Sequence, residues 1–373
     1  MKQIPKYQLI YDDLLKAIDA GTYHPGEKLP TEKDLAEKYA VSRITTKRAM
    51  DTAAINGFIT RIPGKGSFVA DTPKAQGRMR TESGSGRCLG VILPDLSEFF
   101  GLDVLKEIER LANEEDISII LGISNKNLEK EKALIHRLYD FGVDGFIILP
   151  VFYENFNEEI LKLILKGFPI VLIDRYLRDI ACPCVLSGNR QAAMDGMHHL
   201  INLGHRNIGC ISRPINAGSS LQEREQGIKD SIIEHGLRSS PRWWLTSLEH
   251  LDNKDEKTFM NHKEQIKAFL EHNCQLTAIF CLEYSPVPIL KTVAKELDIA
   301  IPEDLSIISF DSPGHLESHM MDITYLRQNE AAIARRAFSL ITSMQQEQPL
   351  SHTMNIIDVE LVAGNSTAPP REY

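Results

Sequence analysis

"VSRITTKRAM", residues 41–50, sets Arg43, Thr45, Lys47 and Arg48 within six positions of one another, directly after a serine. Ser42 suits the N-cap of a helix, because its hydroxyl can accept from a free amide of the first turn. At about 100° per residue from Arg43, Lys47 falls near 40°, Ile44 near 100° and Arg48 near 140°. Thr46, Ala49, Met50 and Ala53 gather on the opposite arc. One face is therefore small and apolar, fit to pack closely on other helices. The other is cationic with one aliphatic tip. A short helix of this kind suits the DNA major groove, where arginine reads guanine and an aliphatic group touches a thymine methyl.

The flanks supply the rest of a small domain. Upstream, "YQLIYDDLLKAIDAG" (7–21) has Leu9, Ile10, Leu14, Ala17 and Ile18 at helical spacing and ends on Gly21. A turn-rich stretch, "TYHPGEKLP" (22–30), leads to Thr31, with Asp34 three residues on, a capping-box-like start to a second helix. Downstream, "GFITRIPGKGSFVA" (57–70) predicts two strands, Phe58–Ile62 and Ser67–Ala70, joined by a turn with Lys65 near its tip. The Walker phosphate-loop pattern is missing.

This helix–helix–helix–hairpin order, over about residues 5–70, resembles the winged-helix domain of the gluconate-repressor (GntR) type. The resemblance implies that Lys33, Arg43, Thr45, Lys47, Lys65 and Gly66 contact double-stranded DNA. The helical projection adds Ile44 and Arg48. Lys33 and Lys47 stand where the family pattern usually has arginine. Lysine supplies charge without a bidentate fork, so these two positions favour phosphate affinity over base choice.

Charge is uneven along the 373 residues. Residues 1–80 carry 14 Lys and Arg against 9 Asp and Glu, while the whole chain has a formal net charge of −9. A basic end on an acidic body fits a nucleic-acid reader joined to another module. No apolar run is long enough for a membrane span. The start has no secretory pattern, and six scattered cysteines show no C-x-x-C spacing. The expectation is a cytoplasmic protein with reduced thiols, no membrane partner, no metal and no cofactor.

Residues 71–87 are polar, small and aperiodic, and read as a linker in which Arg78, Arg80 and Arg87 are solvated. Beyond it, short apolar runs alternate with helical patterns. "CLGVILP", "ISIILGI", "VDGFIILP", "FPIVLID", "RNIGCIS", "LTAIFCL" and "LSIISFD" are the strand candidates. The alternation predicts an α/β body with parallel sheets covered on both faces. Its length exceeds one compact sheet, so two lobes are expected, with a ligand between them at the strand ends.

This body resembles the effector-binding region of lactose/galactose-type repressors, which is related to periplasmic sugar-binding proteins. The resemblance runs from Leu89 to Thr367. It rests on "LGVILPDLSEFF", "GVDGFIILP", "FPIVLIDR", "HHLINLGHRNIGCIS", "EREQGI", "IPEDLSIISFD", "ITYLRQN" and "VELVAGNST". Fusion to a gluconate-type reader is similar to the arabinose-repressor architecture of bacteria. The implied domains are a winged helix at 1–72, a linker at 73–87 and an effector and dimerisation domain at 88–373. Lobe one takes 88–186 and 326–348; lobe two takes 187–325 and 349–373.

The resemblance also implies a ligand set: Asp174, Arg175, Arg224, Asp311 and Gln328. Carboxylates and guanidinium groups bind vicinal hydroxyls, and an aromatic ring covers the apolar face of a sugar. Phe99, Phe100, Trp243 and Trp244 are the candidates for that ring. Where the family usually has Asn-Asp after the strand "AIFCL", this chain has Glu283 and Tyr284. His198, His199 and His205 do not form a metal set by spacing, and no G-x-S-x-G elbow is present. The function implied is a dimeric, ligand-responsive bacterial transcription regulator, a repressor of a carbohydrate-utilisation operon released by a pentose-like sugar. The rivals are an activator or corepressor-dependent regulator, which sequence does not separate, and an enzyme fused to a DNA reader, for which no cofactor lysine pattern is visible.

Overall fold

The computed structural model describes residues 6–19, 21–55, 58–62, 65–70, 87–96, 100–151, 157–177, 180–249, 251, 255–311, 323–346 and 353–371. The chain divides into two compact units, residues 1–84 and 85–373. The linker expectation, with Arg78 and Arg80, lies outside the described residues. Arg87 does not: it opens the first strand of the second unit and pairs with Glu115 at 3.0 Å, so it is not a solvated linker charge.

The first unit has helices α1 (Lys6–Asp19), α2 (Glu32–Lys38) and α3 (Arg43–Ile55), then a hairpin of β1 (Ile59–Ile62) and β2 (Gly66–Val69). Thr31 and Asp34 form the full reciprocal capping box at the start of α2. Ile10, Leu14, Leu35, Met50, Phe58 and Val69 make the core. Ala49, Ala53 and Thr46 on the inner arc of α3 are buried. The Thr46 hydroxyl lies 3.0 Å from the carbonyls of both Glu32 and Arg43, so a buried polar group keeps a partner. Arg61 of β1 reaches Glu32 at 2.9 Å and Asp51 at 3.1 Å, tying the hairpin to α2 and α3.

The second unit holds two six-stranded sheets among the described residues. The first is built from β3 (Arg87–Leu93), β4 (Ile117–Ile123), β5 (Gly145–Ile148), β6 (Ile170–Ile173), β7 (Cys184–Ser187) and β13 (Met354–Ile357). Its order is β13-β7-β6-β5-β3-β4, with every pair parallel. The second is built from β8 (Ile208–Ile211), β9 (Trp244–Leu245), β10 (Ala278–Cys281), β11 (Ser306–Phe310), β12 (Thr324–Gln328) and β14 (Val359–Val362). Its order is β14-β12-β11-β10-β8-β9, and only β14 runs antiparallel.

Helices cover both faces of each sheet, as strands buried on both sides require. α4 (Leu102–Glu114) and α11 (Glu330–Gln345) pack on the face bearing Leu89, Val91 and Leu93, while α5 (Leu128–Phe141) and α6 (Glu158–Leu165) cover Ile92 and Phe146. On the second sheet, α7 (Asn189–Asn202) and α8 (Ser219–Glu234) cover one face, and α9 (Glu256–His272) and α10 (Val287–Glu296) the other. α7 and α8 approach so closely that a Cβ at Gly227 would lie 2.2 Å from the Arg190 carbonyl oxygen, so only glycine fits.

The chain crosses between sheets after β7, after β12 and between β13 and β14. Gly188 N–H donates to the Ile357 carbonyl at 2.8 Å, so two of these crossings are stitched together. Two segments depart from the expected lobe limits. β13 pairs with β7, which puts 354–357 in lobe one, and β12 pairs with β11, which keeps 324–328 in lobe two. The reason is that each crossing falls at a strand end, and strand membership depends on partners far away in sequence.

Candidate nucleic-acid interface and effector cleft

In the first unit the outer face of α3 is bare. Ile44 is 81% exposed, and Arg43 and Lys47 are exposed beside it. Thr45 is half-buried, its hydroxyl 2.9 Å from that of Ser42. Lys33 on α2 is exposed, with Glu37 4.0 Å away. Lys65 and Gly66 sit exposed at the hairpin, where Gly66 adopts φ 112°, a conformation that favours glycine. Among the described residues no acidic group pairs with Arg43, Lys47 or Lys65. Arg48 behaves differently. Its guanidinium stacks 4.1 Å from the Tyr7 ring of α1, which turns it toward the domain's own scaffold.

In the second unit a cleft of about 140 Å³ opens at the carboxyl ends of strands from both sheets. Asp174 follows β6, Glu283 follows β10, and Asp311 follows β11; all three are buried and line it. Parallel strands deliver side chains to one edge, which is why three carboxylates far apart in sequence meet there. Asp174 (φ 61°) and Asp311 (φ 75°) both lie in the left-handed region, a strained backbone that Asp tolerates better than most residues.

Each cleft acid has a cation. Register places Ile211 of β8 beside Cys281 of β10, so Arg213 and Glu283, two residues further along each strand, face one another. Arg213 donates to both Glu283 oxygens, Nε at 2.9 and 2.7 Å. Arg224, only 4% exposed, donates to Asn189 at 2.8 Å and to the Leu282 carbonyl at 2.7 Å, lies 3.5 Å from Asp311, and stacks on the Phe310 ring. Gln328 donates to Asp311 and accepts from the Ser187 hydroxyl at 2.5 Å. Burial pushes the Asp311 carboxyl up, against the opposing pull of Arg224 and Gln328. Arg175 donates to the carbonyls of Pro150 (2.9 Å) and Val151 (2.6 Å), with Asp174 at 3.6 Å. Lys126 pairs with Asp95 at 2.8 Å on the rim.

Asp174, Arg175, Arg224, Glu283, Asp311, Gln328 and Phe100 therefore line one cleft. Phe99 lies outside the described residues. Trp243 and Trp244 do not reach the cleft. Trp243 is packed in the core of lobe two, and Trp244 begins β9, the edge strand of its sheet, with its indole N–H near Ser239. Their assignment as sugar-stacking rings is corrected on that ground. Sequence reasoning missed Arg213, Lys126, Asp95 and Ser220. Arg213 had a signal: a charged residue just past the carboxyl end of a parallel strand, "IGCISR". His199 bonds Thr367 at 3.0 Å, and His205 is held by Thr277, Ser306 and Ala368.

Residues 6–69 match the model of bacterial regulatory proteins of the gntR family, and residues 197–367 match that of the periplasmic binding protein-like domain. The chain joins a gntR-type DNA-binding domain to a periplasmic-binding-protein-like body; it is a DNA-binding transcription regulator with a small-molecule sensor. Over its full length it is similar to the arabinose metabolism transcriptional repressor of Geobacillus stearothermophilus, with 25% identity over 98% of each chain. It is 26% identical to the HTH-type transcriptional repressor CytR of Escherichia coli over 91% of this chain and 97% of that one. Among solved structures, the transcription regulator CcpA of Lactococcus lactis superposes with a TM-score of 0.66 at 20% identity, covering 76% of this chain and 99% of that one. No described helix is long and apolar enough to cross a membrane.

Proposed function

We propose that the chain is a homodimeric repressor of a carbohydrate-utilisation operon, released from its operator by one small uncharged sugar. The observation that carries the ligand class is charge balance. The cleft is lined by Asp95, Asp174, Glu283 and Asp311 against Lys126, Arg175, Arg213 and Arg224. A sugar phosphate or uronic acid would bring an extra negative charge to cations that are already neutralised, at a desolvation cost nothing repays. A neutral polyol instead trades hydrogen bonds with both kinds of group. The cleft volume of about 140 Å³ is close to that of cavities which hold one six-membered ring, so it suits a monosaccharide rather than a disaccharide. The arabinose repressor among the relatives supports a pentose.

The mechanism follows from the crossings between the sheets. A ligand bridging Asp174 and Arg175 of one lobe to Arg224 and Asp311 of the other favours a closed cleft. Closure that fits operator DNA less well lowers DNA affinity, and DNA must then weaken sugar binding by the same factor. Two copies of α3 on a two-fold axis would read a palindromic operator.

The test is thermal unfolding against neutral pentoses and hexoses, uronic acids and sugar phosphates, followed by operator titration with the hit. A ligand at 100 times its Kd adds about 2.7 kcal/mol. A neutral monosaccharide should shift the melt and weaken operator binding. Hits confined to anions would overturn the charge argument, and tighter operator binding with ligand would make the protein a corepressor-dependent regulator.

A further inference from the structure

We propose that His198, Glu234 and His235 form a binding site for one divalent transition ion of the zinc class on the surface of lobe two. Their ligand atoms all lie within 4.8 Å of one another. His198 comes from α7, while Glu234 and His235 are the last residue and the C-cap of α8. The two imidazole rings are 5.0 Å apart, edge to face.

Three features suit a cation. His198 Nε2 is shielded from solvent and has no hydrogen-bond partner, with Glu234 Oε2 3.5 Å away. The edge of a tetrahedral zinc site with bonds of about 2.0–2.2 Å is about 3.4 Å, so this pair already has the right separation. His235 Nδ1 is 3.1 Å from the Ser231 carbonyl oxygen. A carbonyl only accepts, so the proton sits on Nδ1 and the Nε2 lone pair is left for a ligand, the outer-shell arrangement common at metal-binding histidines. The site also lies at the carboxyl end of α8, where the helix dipole favours positive charge.

Two imidazoles and one carboxylate select a zinc-, nickel- or cobalt-type ion over magnesium or calcium, and leave positions for water. Glu234 and His235 are exposed, so drawing them in requires no change in the core. The ion would clamp α7 to α8, the helices joined by the hydrogen bond from Arg224, a cleft residue, to Asn189. His198 stood out in the sequence, but its partners lie on a helix that spacing within α7 does not reveal.

The experiment is calorimetric titration of the untagged full-length chain with zinc, with cobalt absorption as a second readout, on the native protein and on His198→Ala, His235→Ala and Glu234→Gln. One ion per chain is expected, with cobalt bands typical of nitrogen and oxygen ligands. Each variant should weaken binding at least about tenfold, the lower end of what even outer partners of a metal site cost. Without metal the variants should melt as the native chain does, since these side chains hold no core. Absence of binding to the native chain overturns the proposal. So does binding that survives in all three variants, or cobalt bands of thiolate character, which would place the ion elsewhere.

Discussion

The exposed face of α3 and the cleft of the body use the same residue types in opposite ways. On α3 the cations are exposed and stand apart from any acid among the described residues. In the cleft every arginine is held against a carboxylate or a carbonyl. The first arrangement costs little, because water solvates each charge, and it leaves full charge to replace counterions on a phosphate backbone. The second is built of groups that are expensive to bury and must be matched. Unmatched charges suit a polyanion; on the proposed function, matched charges in the cleft suit a neutral polyol that exchanges hydrogen bonds with both kinds of group.

The sharpest way to break this contrast is Arg224→Ala. The substitution leaves Asp311 buried without its cation and Asn189 and the Leu282 carbonyl without their donor. Removing one partner of a buried pair typically costs about 3–5 kcal/mol. Urea unfolding should show a loss of that order and the effector response should vanish, while the isolated operator affinity stays at the native value. A loss under about 1 kcal/mol would mean that Arg224 is solvated and the cleft is no more matched than α3.

How far each region was legible in the sequence follows from how local its logic is. The face of α3 needs only the helical period, and the Thr31–Asp34 cap only a three-residue spacing, so both could be read directly. Asp174 and Asp311 are reached through the resemblance to lactose/galactose-type repressors, whereas Asp95, which follows β3 as Asp174 follows β6, carries no local mark that sets it apart from other acids beyond a strand. The ion pair of Arg213 with Glu283 depends on β8 lying beside β10, which no local pattern states. The tryptophans failed for the same reason: β9 lies at a sheet edge, and sheet order is not written near residue 244. The stack of Arg48 on Tyr7 joins α3 to α1, and the projection of α3 alone does not show it.

A carboxyl held by backbone donors makes a second test. Glu330 at the start of α11 accepts from the backbone N–H groups of Gly101 (2.8 Å) and Val104 (3.2 Å), capping α4. Burial, opposed by these two bonds, pushes its carboxyl up from 4.5 to about 7. The folded state therefore holds a proton that the unfolded chain releases. The stability this contributes is complete below about pH 4.5 and is lost as pH rises through about 7, at most about 3 kcal/mol. Glu330→Gln should flatten that slope between pH 5 and pH 8 in urea titrations. An unchanged slope would show that Glu330 is solvated, like the exposed cations of α3.

The smallest effects separate two arginines five residues apart on one helix. Arg43 is exposed on the face with Ile44, so Arg43→Ala should cost about 1–3 kcal/mol of specific operator binding and leave the fold as stable as before. Arg48 stacks on Tyr7, an exposed cation–π contact of about 0.5–1 kcal/mol, so Arg48→Ala should register in the melting of the first unit. Its operator affinity should fall less than that of the Arg43 variant at every salt concentration. Titrations over a salt series decide the matter. If the two variants lose operator affinity equally and neither changes stability, Arg48 leaves Tyr7 for the DNA on binding. The contact with α1 would then hold a side chain in reserve, and the recognition face would extend past Ile44 to the arc that Arg48 occupies.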